Sequence, residues 1–179
     1  STLLKLISGV YLDKHNSIKV SGKISPLLEL GAGFSNDLTG RENIYLNASL
    51  LGVSKGLITK QEGKIIKFSG LKEFIDRPIR TYSSGMYMRL GLSIALHTFP
   101  DILILDEVFA SGDKKFIEKA EKKILNVISE AAITIIVSHV ESVIMDNCNR
   151  CIVIDNGRII YDGSPTQAFN LYNTLEARL

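Results

Sequence analysis

The chain is poor in cysteine, poor in net charge of either sign and without a long apolar run. Its two cysteines stand as Cys148-Asn-Arg-Cys151. A C-x-x-C of this kind is half of a zinc site or a redox pair. No second pair accompanies it, and no histidine lies at ligand spacing. Cys151 also opens an apolar stretch, where a small buried thiol is commonplace, so a structural role is the expectation. A net charge of +2 is too small to argue for a nucleic-acid partner, which calls for a concentrated basic face. No apolar run approaches the ~18–20 residues that cross a bilayer, so no transmembrane segment is expected. The start, Ser1-Thr2-Leu3-Leu4-Lys5-Leu6-Ile7, is apolar but too short and poorly flanked for a secretory signal. A cytosolic compartment is the default. Internal repeats, low-complexity tracts and linkers are lacking as well.

What remains is the composition of an ordinary globular domain, 45% hydrophobic and 22% charged over 179 residues, long enough for one real core. The mean hydropathy of +0.16 suggests a well-filled interior or a hydrophobic docking face.

The pattern along the chain alternates helix and strand. Leu3, Leu4 and Ile7 predict a helix over 3–8. Thr39-Gly-Arg-Glu42 reads as a capping box ahead of Ile44, Leu46, Leu50 and Leu51, so a helix is predicted to start at 40. Residues 52–82 read as polar and partly helical, with breaks at Gly56, Gly70 and Pro78. Ser83 or Ser84 can cap a further helix through Met88, Leu92 and Leu96. Ile102–Leu105 reads as a strand covered on both faces. Phe116, Ile117, Ala120, Ile124 and Val127 recur at helical spacing within 114–130. Ile133–Val137 reads as a second buried strand, rich in β-branched residues. An Asn156-Gly157 turn predicts a hairpin between 152 and 161, and a closing helix follows Ser164-Pro165. Such alternation implies an α/β fold with a mainly parallel sheet.

Four stretches carry chemistry, each with a plainer reading beside it. Tyr82-Ser83-Ser84-Gly85 opens a helix, where free N–H groups and the dipole attract an anion; most Ser-Gly pairs before helices are only caps. Asp106-Glu107 ends the first buried strand, where α/β sheets bind ligands. Asp106 can hold Mg²⁺, directly or through water, and Glu107 can orient or deprotonate a water; adjacent acids after a strand can equally be solvated turn residues. His139 follows the second strand and can donate to a γ-phosphate, although a lone histidine there is commonly structural. Ser1-Thr2 runs into an apolar helix as the end of G-x-x-x-x-G-K-[ST] would, with Ser1 as the Mg²⁺-binding hydroxyl and Thr2 facing the α/β-phosphates. The order of the four is what weighs.

Over essentially its whole length the sequence resembles the ATP-binding-cassette ATPases. Tyr82 to Met86 is similar to the family's signature motif and Arg89 to an arginine common just after it; Ile102 to Glu107 is similar to the Walker B strand with its catalytic glutamate. Asp113 stands where the D-loop aspartate is expected and His139 where the switch histidine is. Tyr-Ser-Ser-Gly-Met, Leu28-Glu-Leu-Gly-Ala-Gly-Phe34 and Asp106-Glu-Val-Phe-Ala-Ser-Gly-Asp113 together resemble the exporters of O-antigen, capsule and teichoic-acid polymers. The resemblance implies a P-loop NTPase fold over 1–179 as a single nucleotide-binding domain, with a helical signature subdomain at about 40–98. The N-terminal strands and the phosphate loop would lie before Ser1, and without them the piece would bind ATP poorly. It implies ATP and Mg²⁺, a homodimer with ATP sandwiched head-to-tail, an integral membrane permease, and a place at the cytoplasmic face of the membrane. Tyr82, Ser83, Ser84, Gly85 and Asp113 would join Ser1, Thr2 and Asp106 around the nucleotide, with Glu107 and His139 catalytic. No glutamine occupies the Q-loop position, and Glu29 is the nearest polar candidate for the metal contact there. The segment from the Q-loop into the 40s would carry the permease groove, with Phe34 and Tyr45 exposed. A cytosolic cassette protein of DNA repair, chromosome or ribosome function is the reading from another class; it would usually bring a coiled-coil insertion or a second cassette. A non-catalytic fragment is the third.

Overall fold

The computed structural model describes residues 2–12, 17–27, 30–106 and 114–176. Contacts divide the chain into two compact units, Ser1–Ile135 and Ile136–Leu179, taken in turn.

The first unit begins with a short helix, α1 (Thr2–Ile7), and a three-residue strand, β1 (Ile24–Pro26). Three helices follow: α2 (Gly40–Leu50), α3 (Lys55–Ser69) and α4 (Ser84–Ala95), the last preceded by one 3₁₀ turn at Ile79–Thr81. Then come β2 (Ile102–Asp106), α5 (Lys114–Glu130) and β3 (Ile133–Val137), whose last two residues pass into the second unit. The sheet runs β1-β2-β3. β1 pairs in parallel with β2, Ile24 opposite Ile102 and Pro26 opposite Ile104. β2 is the central strand and Ile102 to Leu105 are all buried, as a strand covered on both faces should be. Leu4 of α1 packs with Ile102 and Ile104.

Local chemistry places the helix ends. At α2 the capping box forms in full: the Glu42 amide donates to the Thr39 hydroxyl at 3.2 Å, and the Thr39 amide donates to the Glu42 carboxylate at 2.8 Å. α3 ends at Gly70, in the left-handed conformation (φ 69°) that glycine adopts without steric cost. Ile44, Ile58, Ile65, Ile75, Leu90 and Ile94 close a core among α2, α3 and α4.

Three expectations need correction. Gly56 does not break a helix; it lies in the first turn of α3, where amides have no intrahelical partner to lose and a glycine costs little. β3 is half-buried rather than buried, with Ile133 and Val137 53% and 39% exposed, since among the described residues no strand lies beyond it in this sheet. Phe34 and Tyr45 are half-buried rather than exposed, both packed on the α2–α4 core.

The second unit continues with α6 (Glu141–Asn147), then β4 (Cys151–Asp155), β5 (Arg158–Gly163) and α7 (Pro165–Glu176). β4 and β5 are antiparallel. Asn156 and Gly157 both have positive φ, 45° and 76°, the turn whose twist suits a two-residue hairpin. Arg150 bridges to Asp162 at 2.6 Å, which holds that carboxyl below its usual range. Both cysteines are free and half-buried, with thiols pushed up in pKa by burial; raised thiols are poor nucleophiles and poor metal ligands at neutral pH.

Candidate functional site

The N-terminus of α4 is the best-built part of the candidate site. Ser83 is its N-cap, extended at φ −69°, ψ 162°, and its hydroxyl accepts from the Met86 amide at 3.3 Å. Ser83 and Ser84 are exposed and Gly85 half-exposed, whereas Leu90 through Thr98 are buried without a break. The helix therefore anchors by its C-terminal half and presents its N-terminal end. The remaining first-turn amides and the positive dipole end meet whatever lies there.

Two straps position that end. The loop at Gly31–Phe34 is held to α4 and α2 by its carbonyls: the Tyr87 hydroxyl donates to the Gly31 carbonyl at 3.0 Å, and the Asn47 amide group to that of Ala32 at 2.7 Å. Phe34 meets Tyr87 edge-on with ring centroids 5.0 Å apart. Gly91 in α4 lets this loop approach so closely that a Cβ there would lie 2.8 Å from the Gly31 nitrogen.

The second strap joins residues 35–41 to 74–82. The Ile79 amide donates to the Leu38 carbonyl, the Arg80 amide to Asn36, the Gly40 amide to Arg77 and the Arg41 amide to Ile75, at 2.9–3.2 Å. Buried Asn43 pins the first of these segments. Its side-chain amide donates to the carbonyls of Ser35, Leu38 and Thr39, and its oxygen accepts from the Ser35 amide at 2.8 Å. Arg41 grips Asp76 through two nitrogens, at 2.7 and 3.1 Å, and also bonds Glu62 of α3. The Arg41 pair holds the Asp76 carboxyl below its ordinary range. Glu62 in turn accepts from the Tyr45 hydroxyl at 2.6 Å.

The residues named from sequence fall out as follows. Thr2 opens α1 and is exposed. Tyr82 lies between the 3₁₀ turn and Ser83, its hydroxyl donating to the Phe74 carbonyl at 2.8 Å. Burial first, and the Asp76 carboxylate second, raise its phenol further above the ordinary value. Asp106 ends β2, half-buried. His139 is exposed in the turn before α6, in the second unit. Ser1, Glu29, Glu107 and Asp113 lie outside the described residues. The structure thus brings Tyr82, Ser83, Ser84 and Gly85 together at one helix entry and sets Asp106 at the carboxyl end of the central strand.

Sequence reasoning missed Arg41, Asn43 and Tyr87 as positioning groups. Only their hydrogen-bonding capacity was visible beforehand; the partners are supplied by the fold. Among the described residues no three His, Cys, Asp or Glu side chains gather as a metal cage. A single carboxylate at a strand end fits Mg²⁺, which keeps several waters and needs one or two carboxylates beside substrate phosphates.

Against known proteins, the ABC transporter family profile matches residues 1–110. The O-antigen export system ATP-binding protein RfbB of Klebsiella pneumoniae is 44% identical over 172 residues, 96% of this chain and 70% of that protein. The RfbB protein of Myxococcus xanthus is 43% identical over 93% of this chain, and the teichoic acids export ATP-binding protein TagH of Lactococcus lactis 38% identical over 96%. The chain spans 38% and 37% of the lengths of those two. Among solved structures, the ATP-binding subunit of an ABC transporter superposes with a TM-score of 0.75 at 18% identity, covering 96% of this chain and 76% of that one. A dimeric ATP-binding cassette bound to ADP and Pi superposes at 0.64 and 19% identity, covering 92% and 79%. At those identities the superpositions establish the α/β fold. Fold, profile and relatives agree, and the chain belongs to the ABC transporter family.

Proposed function

We propose that this chain is the ATP-binding and ATP-hydrolysing part of a membrane exporter that moves a lipid-linked polysaccharide or polyol-phosphate polymer such as O-antigen, capsule or teichoic acid. The observation that carries the reading is the exposed, Ser83-capped entry of α4, in a chain whose relatives are named for O-antigen and teichoic acid export. A helix N-terminus carries roughly half a positive charge, and small residues in its first turn admit a phosphate closely.

In this reading residues 1–179 form one nucleotide-binding domain with its helical subdomain at about 40–98. Two copies pair head-to-tail. Ser83, Ser84 and Gly85 of one meet the γ-phosphate held by the other, Thr2 faces the α/β-phosphates, and Asp113 lies nearby. Asp106 and the Ser1 hydroxyl hold Mg²⁺, directly or through water, and Glu29 is a further candidate. Bound there, the metal would supply positive charge to offset that of the phosphates. Glu107 orients or deprotonates the attacking water, and His139 donates to the γ-phosphate. Loss of the γ-phosphate releases the α4 entry, the pair opens, and an integral membrane permease follows. Its contact would lie along the Gly31–Phe34 loop and α2. Among the described residues no helix is long and apolar enough to cross a membrane; a peripheral place on the cytoplasmic face fits the role.

The test is Glu107→Gln in the full-length protein. Turnover should fall about a hundredfold or more, the size of a lost general base, while an ATP-bound dimer accumulates. An unchanged rate overturns the assignment. Co-purification with an integral membrane protein supports the export role, and isolation with DNA or ribosomes counts against it.

A further inference from the structure

Tyr82 is the residue of the helix entry whose side chain is already committed elsewhere. Its hydroxyl donates to the Phe74 carbonyl at 2.8 Å and rests over the α-carbon of Gly40, where a Cβ would collide with it. Gly40 has no positive φ to explain it; the space it leaves is what the phenol fills. Phe74 sits in the turn that Arg41 grips through Asp76, and the Gly40 amide itself donates to the Arg77 carbonyl at 3.2 Å. One residue beyond Tyr82 stands the Ser83 cap. The phenol thus joins the start of α2, the 74–77 turn and the start of α4.

We infer that Tyr82 is a positioning residue: its hydroxyl, seated between Gly40 and the Phe74 carbonyl, aims Ser83 and the first turn of α4 at the phosphate carried by a second copy. The inference rests on the head-to-tail reading and sharpens it. A group aiming the helix at a partner's nucleotide acts when two copies close, not when one copy first takes up ATP. Tyr82→Phe keeps the ring and removes the donor. Loss of one such hydrogen bond should weaken ATP-driven dimerisation about threefold to tenfold, with turnover falling in step and nucleotide affinity of the monomer unchanged. Gly40→Ala pushes the hydroxyl off its seat and should reproduce the defect. Combining the two removes the nearest collision and leaves the tight approach to Ile75 Cδ1 and the Ile75 carbonyl, at 3.0 and 3.1 Å, so the double variant should be no worse than Gly40→Ala alone.

Binding and dimerisation are measured on full-length protein with Glu107→Gln as the dimer-trapping background, and turnover on the same variants with native Glu107. It pairs fluorescent-nucleotide titration at low protein concentration with ATP-dependent dimer formation by analytical ultracentrifugation. Wild-type dimerisation in Tyr82→Phe overturns the inference. So does a parallel loss of nucleotide binding and dimerisation with a lowered melting temperature, which marks a merely structural hydroxyl. Additive defects in the double variant overturn the shared seat. If the protein with its native Tyr82 neither dimerises nor hydrolyses ATP, the head-to-tail reading itself fails, and this inference with it.

Discussion

Residues 35–98 and residues 136–179 fold by different means. The first region closes Ile44, Ile58, Ile65, Leu90 and Ile94 into one core and laces its loops with side-chain bonds from Asn43, Arg41, Tyr82 and Tyr87. In the second, the buried hydrophobic side chains among the described residues are Ile144, Ala168 and Phe169. Its hairpin leaves Ile152, Ile154 and Ile159 at 48%, 48% and 63% exposure. On the proposed function the α4 entry meets a phosphate, which calls for a direction set to within a fraction of an ångström, and redundant anchoring suits that. The hairpin is set by its local turn and rests on α7, whose Ala168 and Phe169 are buried.

The largest expected effect tests this contrast directly. Ile94→Ala, at a fully buried site, should cost about 2–5 kcal/mol of unfolding free energy. Ile154→Thr on the hairpin should stay within about 0.5 kcal/mol. Urea unfolding of both variants measures the gap; similar losses would mean that the hairpin face is covered in solution. Next comes Asn43→Ala, which leaves the Ser35 amide without its partner and takes one of two donors from the carbonyls of Ser35, Leu38 and Thr39; it should cost about 1–3 kcal/mol. Hydrogen exchange should then quicken across residues 35–41 while the hairpin amides keep their protection.

The smallest effect is a pH dependence at the buried end of α4. His97 is buried, with its Nδ1 2.7 Å from the Ser93 carbonyl. Burial lowers its pKa, the Ser93 bond opposes that, and Lys123, Lys64 and Lys119 add to the lowering. The unfolded chain therefore binds a proton that the folded chain refuses once pH falls below about 6.5. The contribution is complete above that value and lost as pH falls further. Melting temperatures compared between about pH 5 and pH 7.5 should show it, and His97→Gln should flatten the dependence. A slope unchanged in that variant would place the titration elsewhere.

Much of the candidate site was legible beforehand because its parts are local. The Thr39–Glu42 box, the Ser83 cap, the apolar run ending at Asp106 and the Asn156-Gly157 turn each depend on residues a few positions apart. β1 was not legible: three residues ending in Pro26 carry no periodicity, and only pairing with β2, far along the chain, makes them a strand. β3 reads as buried from its β-branched residues, yet it is the edge strand among the described residues and its ends are exposed.

What the sequence by itself determined, then, is most of the elements, β1 and α6 apart, and the order of the residues proposed to face a nucleotide. Hydrogen bonds between near neighbours and helical or alternating apolar spacing suffice for that. Only the tertiary structure decided how the α4 entry is held. Arg41 finds Asp76 35 positions away, and Tyr87 finds Gly31 56 positions away. The Tyr82 seat exists because Gly40 is small in one segment and the phenol arrives from another. Such partners are fixed by packing, which no local pattern encodes.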